Sequence, residues 1–349
     1  MKRVRVLVLS GLFVTVFIGL KQSDSINTFV EYAQIHNVQA AASTPYLPDI
    51  SSAAMAVWEG AKKLQLDRRE VLLEQIRQEA AKRNVAPINA TIDRVWKAIP
   101  GYNGLEVDVE QSLFLSEHQQ DNGKPKIVMK EVAPAIGLEQ LGAQPIYKGN
   151  PNKPMVAFMI NVAWGNEYLD KMLDVMEKEK VHATFFFDGS WLKDNIPVAK
   201  KIKEKGHELS NHAYSHKDMS TLGRSQAALE ITKTEQLLQK ELGVQNKLFA
   251  PPSGDFNQQT VEVAHDLKLK TILWTLDTVD WRRPAPQTIV RKVQTKVEPG
   301  SLILMHPTSS SSEALQQMIQ VIKSKGLHLG TVSEVISPNR VPEVESTKQ

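Results

Sequence analysis

The 349-residue sequence contains no cysteine and carries little excess charge. The absence of cysteine excludes disulfide bonds and metal sites built from thiolates. The formal net charge is only +3, and the lysines and arginines are dispersed, which argues against a nucleic-acid-binding protein. Hydrophobic residues make up 42% of the chain, so it can bury a sizeable core in one large domain or two smaller ones.

An apolar run at residues 6–20 is flanked by basic residues, three of them on its N-terminal side. This order is typical of an export signal. Small residues suited to cleavage occur only at 40–42, well past the run, which favours an uncleaved signal anchor over a cleaved signal peptide. The basic flank argues against the alternative of a buried helix in a cytosolic domain. Residues 1–21 are therefore predicted to anchor the chain in the cell membrane by a single pass. The positive flank places the rest of the chain outside the cytoplasm.

Residues 22–148 are predicted to form a membrane-proximal stalk and a small α+β region. The apolar spacing within 67–82 predicts an amphipathic helix, and residues 92–99 are expected to continue a helical region. Alternation over residues 105–109 predicts a strand. Glycine, asparagine and proline at residues 149–154 indicate a linker to the next domain.

From residue 155 onwards, strand patterns alternate with helix patterns. Strands are predicted at 155–160, 183–187, 207–211, 247–250, 270–276, 301–305 and 327–329. Helices are predicted at 169–178, 196–205, 227–242, 260–267, 288–297 and 313–325. This alternation predicts the α/β class and a seven-stranded parallel (β/α) barrel over residues 149–337, followed by a flexible tail at 338–349.

Polar residues follow the C-terminal ends of the predicted strands. In a parallel barrel these ends share one rim, where catalytic residues are built. The residues concerned are Asn161, Asp188, His212, Ser253, Asp277 and His306.

Three short patterns on this rim resemble motifs of the polysaccharide deacetylase family, the carbohydrate esterases of the chitooligosaccharide deacetylase type. They are His-x-x-x-His at 212–216, Asp-x-x-Asp-Trp at 277–281 and Leu-x-His at 304–306. More narrowly, the chain resembles a sporulation-associated member from spore-forming bacteria. The resemblance implies a distorted seven-stranded barrel. It also implies a divalent metal such as zinc or cobalt, and hydrolysis of the C–N amide bond of N-acetylated glycans such as peptidoglycan or chitin.

The resemblance also implies roles for individual residues. His212 and His216 would bind the metal. His306 would be the general acid, held by Asp280 or Asp277, between which the sequence does not choose. The alternative for this acid–histidine pair is a buried structural role. Trp281 and Pro251 are predicted to contact the glycan, although Trp281 equally fits core packing.

The first family motif is degenerate in this chain. Asn161 stands where the family has its catalytic base, Val162 replaces a metal-binding Asp, and Ala250 replaces an Arg. An amide can orient water but cannot accept its proton. Two histidines alone predict a weak or absent metal site, unless Asp188 or Asp255 supplies a substitute ligand, although Asp188 also fits a helix cap.

Two functional hypotheses follow from this mixture. The first is a peptidoglycan deacetylase with impaired activity, which the intact later motifs favour. The second is a catalytically inactive glycan-binding or scaffolding module of the cell envelope, which the degenerate first motif favours. Under both hypotheses the predicted partners are the cell-wall glycan and, through the anchor, the membrane.

Overall fold

The structure is a computed structural model that describes residues 50–118 and 124–341. The predicted signal anchor at residues 1–21 lies outside these ranges. No helix within them combines the length and the apolar composition needed to cross a bilayer.

The chain divides into two compact units. Of the described residues, the first contains 50–84, 107–118 and 124–130, and the second contains 85–106 and 131–341. The predicted domain boundary after residue 148 does not coincide with this division, because part of the segment before it packs with the barrel.

The first unit is built around two helices, α1 (Ile50–Arg83) and α2 (Val109–Glu117). The predicted helix at 67–82 is confirmed and begins earlier than expected. Ile76, Val107 and Leu113 form the buried centre of this unit. Asp108 caps α2, because its side chain accepts the N–H of Gln111 at 3.0 Å.

The helical region expected at residues 92–99 is wrong, because the second unit has a hairpin there. Strands β1 (Thr91–Asp93) and β2 (Lys97–Ile99) pair antiparallel. The carboxylate of Asp93 accepts the N–H groups of Val95 and Trp96, each at 2.7 Å. A side chain that binds the next backbone N–H groups favours a turn over a helix. Two further strands follow, β3 (Gly104–Val107) and β4 (Met129–Val132).

The barrel consists of eight strands and eight helices in the described part of the second unit. The strands are β5 (Met155–Val162), β6 (Thr184–Phe187), β7 (Glu208–Asn211), β8 (Leu248–Phe249), β9 (Lys270–Thr271), β10 (Leu276–Asp277), β11 (Leu302–Met305) and β12 (His328–Gly330). The helices are α3 (Asn166–Glu179), α4 (Gly189–Asp194), α5 (Ile196–Glu204), α6 (Arg224–Leu242), α7 (Gln258–Asp266), α8 (Pro286–Lys296), α9 (Ser309–Ser324) and α10 (Val332–Ile336).

These strands form one parallel sheet in the order β10-β11-β5-β6-β7-β8-β9, and β12 pairs with the first residues of β5. The predicted α/β parallel barrel is therefore confirmed in outline. The predicted fifth strand is split into β9 and β10, which are the two ends of the sheet. Ile146 pairs beside β9, since its N–H donates to Thr271 at 2.9 Å and its carbonyl accepts the N–H of Leu273 at 2.8 Å. Strands β9 and β10 do not pair with each other, so the barrel is open between them and distorted.

Side chains of β5 alternate between two apolar clusters, because successive residues of a strand point to opposite faces. One cluster lies between the sheet and the helices, and its β5 members are Val156, Phe158, Ile160 and Val162. The other fills the barrel interior, and its β5 members are Met155, Ala157 and Met159. By this alternation Asn161 faces the interior, whereas Val162 faces the helices.

Residues 338–341 begin the segment predicted as a flexible tail, but they pack against the second unit. Val341 is buried in the interior cluster, and Arg340 lies over the ring of Tyr102 at 4.7 Å. The remainder of the predicted tail lies outside the described residues.

Candidate functional site

The loop after β7 brings His212 and His216 together. Their ring centroids are 5.3 Å apart, with the rings at 73°. His212 is buried, and its Nδ1 lies 2.7 Å from the carbonyl oxygen of Ala250. A proton on Nδ1 that donates to this carbonyl leaves the Nε2 lone pair available, which is the usual arrangement of a metal-ligating histidine.

Electrostatics favour the neutral state of His212. Burial, and secondly the nearby His216, lower its pKa to about 3, and His306 contributes in the same direction. Neutral imidazole is the form that binds metal ions.

Glu230 of α6 holds this loop in place, although the sequence gives no signal for it because α6 follows an ordinary helix pattern. The carboxylate is nearly buried and accepts the N–H of Ser215 at 2.8 Å and its hydroxyl at 2.8 Å. Lys217 donates to the same group at 3.2 Å. Burial opposes ionisation of Glu230, but these hydrogen bonds outweigh it and lower the pKa of the carboxyl. The interaction stabilises a loop in which Ala213 and His216 both adopt positive φ.

The loops after β10 and β11 form the acid–histidine pair. Asp280 is fully buried, and one of its oxygens lies 2.8 Å from His306 Nδ1. The other oxygen accepts the backbone N–H of His306 at 2.6 Å and the hydroxyl of Ser311. Asp277 instead accepts the N–H of Val279 at 2.7 Å and shapes the turn. The structure thus decides between the two candidates and assigns the orientation of His306 to Asp280.

The degenerate motif lies where β5 ends. Asn161 is only 4% exposed, and its side-chain oxygen finds no hydrogen-bond partner within the described residues. Val162 is fully buried among apolar side chains of the helix layer. Neither residue offers a carboxylate to a metal or a water molecule.

The two candidate substitute ligands have other contacts. Asp188 caps α4 by accepting the N–H of Trp191 at 2.9 Å, which confirms the helix-cap alternative. Both oxygens of Asp255 bind Ser220, at 2.6 Å to its N–H and 2.9 Å to its hydroxyl. Throughout 50–118 and 124–341, no group of three or more His, Asp or Glu side chains is placed to hold a metal ion. Catalytic zinc sites usually have three protein ligands. The residues present therefore do not fit the metal centre that the family motifs imply.

The two predicted glycan contacts differ in accessibility. Trp281 is 50% exposed, and the guanidinium of Arg282 lies 4.6 Å from its ring centre. This exposure excludes the core-packing alternative for Trp281. Pro251 is buried, and its carbonyl accepts the N–H of Gly254 at 3.0 Å. Pro251 thus presents little side-chain surface to a ligand.

Trp164 is a residue of the site that the motif analysis misses. Its ring is nearly parallel to that of His306, at 6° and with the centroids 6.0 Å apart. It follows the degenerate motif by one residue, and no motif position marks it. Only the pairing of β5 with β11 shows that it lies beside His306.

Comparison with known proteins agrees with this geometry. Residues 148–272 match the polysaccharide deacetylase family model. The protein BA3943 of Bacillus anthracis, a CE4 family pseudoenzyme, is 42% identical, with a TM-score of 0.71 over 77% of this chain and 96% of that one. This chain belongs to the polysaccharide deacetylase (CE4) family. The CE4 relatives include a BA3943 mutant with restored enzymatic activity, which is 41% identical to this chain with a TM-score of 0.70 over 77% of it and 99% of that chain.

Two further relatives of this CE4 protein extend the comparison. The uncharacterized protein YlxY of Bacillus subtilis is 46% identical over 273 residues, which cover 78% of this chain and 86% of YlxY. The peptidoglycan-N-acetylglucosamine deacetylase of Bacillus cereus is 30% identical over 199 residues, which cover 56% of this chain and 72% of that enzyme.

Proposed function

We propose that this CE4 protein is a catalytically inactive glycan-binding or scaffolding module of the cell envelope. The observation that carries the proposal is the amide of Asn161 at the position of the family's catalytic base. Hydrolysis of an acetamide requires a group that removes a proton from the attacking water, and a positioned base contributes roughly 10²- to 10⁴-fold. Asn161 cannot act in this way at accessible pH.

The other carboxylates on the rim do not replace it. Asp280 accepts three hydrogen bonds from His306 and Ser311 and is fully buried. Asp188 and Asp255 cap or tether neighbouring segments. Asp280 and Asp255 accept hydrogen bonds at both oxygens. Asp188 accepts them at one oxygen only, and its other oxygen is buried without a partner in the described residues, but the carboxylate is fixed as the cap of α4.

The comparisons support the same proposal. BA3943, which aligns with most of this chain, is a pseudoenzyme, and one of its mutants has restored enzymatic activity. A family scaffold can therefore keep its fold while its chemistry is absent. We extend this to the present chain because Asn161 and Val162 remove a base and a metal ligand together.

The ligand that we propose is the N-acetylated glycan of peptidoglycan. The peptidoglycan deacetylase of Bacillus cereus shares the barrel region, and the acid–histidine pair and the exposed Trp281 remain at the rim of this chain. A location outside the cytoplasm, held by residues 1–21, is part of the same proposal. The association with sporulation stays a prediction.

Residual deacetylase activity is the second candidate. It is favoured by His212 and His216, which face each other with the lone pair of His212 Nε2 available, and by the Asp280–His306 pair. These groups would still bind a ligand and protonate a leaving amine, but they lack a partner that activates water.

Acetate release and glycan binding separate the two candidates. The purified full chain would be incubated with N-acetylated peptidoglycan in the presence of zinc or cobalt, and bound protein would be measured by co-sedimentation. We expect co-sedimentation without acetate release above that of His306→Ala. Acetate release that disappears in His306→Ala would establish a working hydrolase and overturn the proposal. Absence of co-sedimentation would overturn glycan binding.

A further inference from the structure

Trp164 is a large aromatic side chain held half-exposed on the rim of the barrel. It is 47% exposed, although its ring lies against His306. Aromatic side chains contribute strongly to binding energy when a ligand covers them, because they offer a large rigid apolar surface. A half-exposed tryptophan beside the Asp280–His306 pair is therefore a candidate ligand contact.

The backbone fixes the position of Trp164. The next residue, Gly165, has φ +88°, and a Cβ at this position would lie 2.1 Å from the carbonyl oxygen of Pro307. Only glycine permits this approach of the loop after β5 to the loop after β11. Because Pro307 directly follows His306, the contact sets the indole next to the imidazole. The indole of Trp164 is thus positioned by two loops that contact each other, one after β5 and one after β11.

We infer that Trp164 is an aromatic platform that stacks on the apolar face of one pyranose ring of an N-acetylated glycan. The inference rests on the proposed function, since it names the residue that holds the glycan there. The C–H face of a pyranose ring is apolar and flat, which suits the accessible surface of an indole. Stacking requires neither a base nor a metal, so it persists in a site that has lost both.

Trp164 also has a simpler potential role as a support for His306. In that case its removal would act only through a displaced imidazole. The two roles are separable, because direct stacking needs an aromatic ring at position 164 whether or not His306 is present. A double-mutant cycle over the two positions measures this dependence.

The test is calorimetric titration of the full chain with the hexamer of β-1,4-linked N-acetylglucosamine. We expect Trp164→Ala to weaken binding by about tenfold or more, as for a central tryptophan of an interface. Trp164→Phe keeps a ring and should retain most of the affinity. Trp58→Ala is the matched control, because Trp58 is 61% exposed and lies in the first unit. Trp164→Gln removes the ring while keeping a long side chain, and it replaces the alanine variant if that variant unfolds.

Each result has a defined meaning. If the unaltered chain binds neither the hexamer nor N-acetylated peptidoglycan, the proposed glycan-binding function fails. If it binds and Trp164→Ala binds within about twofold of it, only the role of Trp164 fails. If Trp164→Ala weakens binding when His306 is present but has no effect in the His306→Ala variant, Trp164 only supports His306 and the stacking inference is overturned. A similar loss in both backgrounds supports direct stacking.

Discussion

Restoring the two missing carboxylates is the most direct perturbation of the site. In the double variant Asn161→Asp, Val162→Asp, position 162 again carries the carboxylate that the family uses as a metal ligand together with two histidines. Val162 is fully buried in the cluster between sheet and helices, so its new carboxylate must leave that cluster to reach the histidines. We therefore expect metal binding and folding to become coupled in this variant.

The magnitudes follow from burial. Loss of a buried Val side chain costs about 1.5–3 kcal/mol, and an unpaired buried carboxylate adds to this, so the metal-free variant should lose roughly 3–5 kcal/mol of unfolding free energy. Zinc at 100 times its dissociation constant would raise the free energy of unfolding of this variant by about 2.7 kcal/mol. For a unit of this size each kcal/mol shifts the melting temperature by about 2–4 °C, so zinc should raise it by about 5–10 °C.

Thermal unfolding with and without zinc, together with acetate release, measures both effects. The single variant Val162→Asp should gain the zinc response but release roughly 10²- to 10⁴-fold less acetate than the double variant, because it lacks the base. Asn161→Asp alone should gain neither the zinc response nor acetate release, since burial raises the pKa of an isolated carboxyl and keeps it protonated. A folded double variant with no zinc response would refute the reasoning and show that the loop geometry itself has changed.

Three further predictions concern stability. Asp280→Asn should lower the unfolding free energy by about 2–3 kcal/mol in denaturant titrations, because an amide cannot accept all the hydrogen bonds from His306 and its neighbours; a loss below about 0.5 kcal/mol would contradict this. His207 is buried, and its Nδ1 accepts the N–H of Ala183 at 3.2 Å; burial, then neighbouring positive charges, lower its pKa to about 4. Because this folded pKa lies below the unfolded value of about 6.5, the contribution of neutral His207 to the free energy of unfolding is complete above pH 6.5. It declines by up to about 3 kcal/mol as the pH falls towards 4, and in His207→Gln the free energy of unfolding should depend less on pH over this range. Gly165→Ala should lower the melting temperature and weaken glycan binding, since its Cβ would overlap a neighbouring carbonyl; unchanged values in both assays would exclude the close approach.

The sequence predicted the barrel well because its strands and helices carry strong local patterns. Strands β5, β6 and β11 are apolar runs between helices, and their periodicity does not depend on distant contacts. The hairpin at Thr91–Ile99 is predicted as helix from its sequence. The interaction that favours the turn is the pair of hydrogen bonds from backbone N–H groups to the Asp93 carboxylate, and hydrophobic periodicity does not indicate such bonds. The split of the predicted fifth strand depends on Ile146, more than 120 residues earlier in the chain.

For the site, the sequence alone determined which chemical groups are present. The imidazoles of His212, His216 and His306 remain, and an amide and a valine stand where carboxylates would be needed. Side-chain chemistry is a property of the residue, so the absence of a base at Asn161 follows without a structure. Only the tertiary structure decided which groups meet. It gave the side chain of Asp188 to a helix cap and placed Val162 in the cluster between sheet and helices. It also paired His306 with Asp280 rather than Asp277 and set Trp164 against His306, because each of these two contacts joins loops that follow different strands of the barrel.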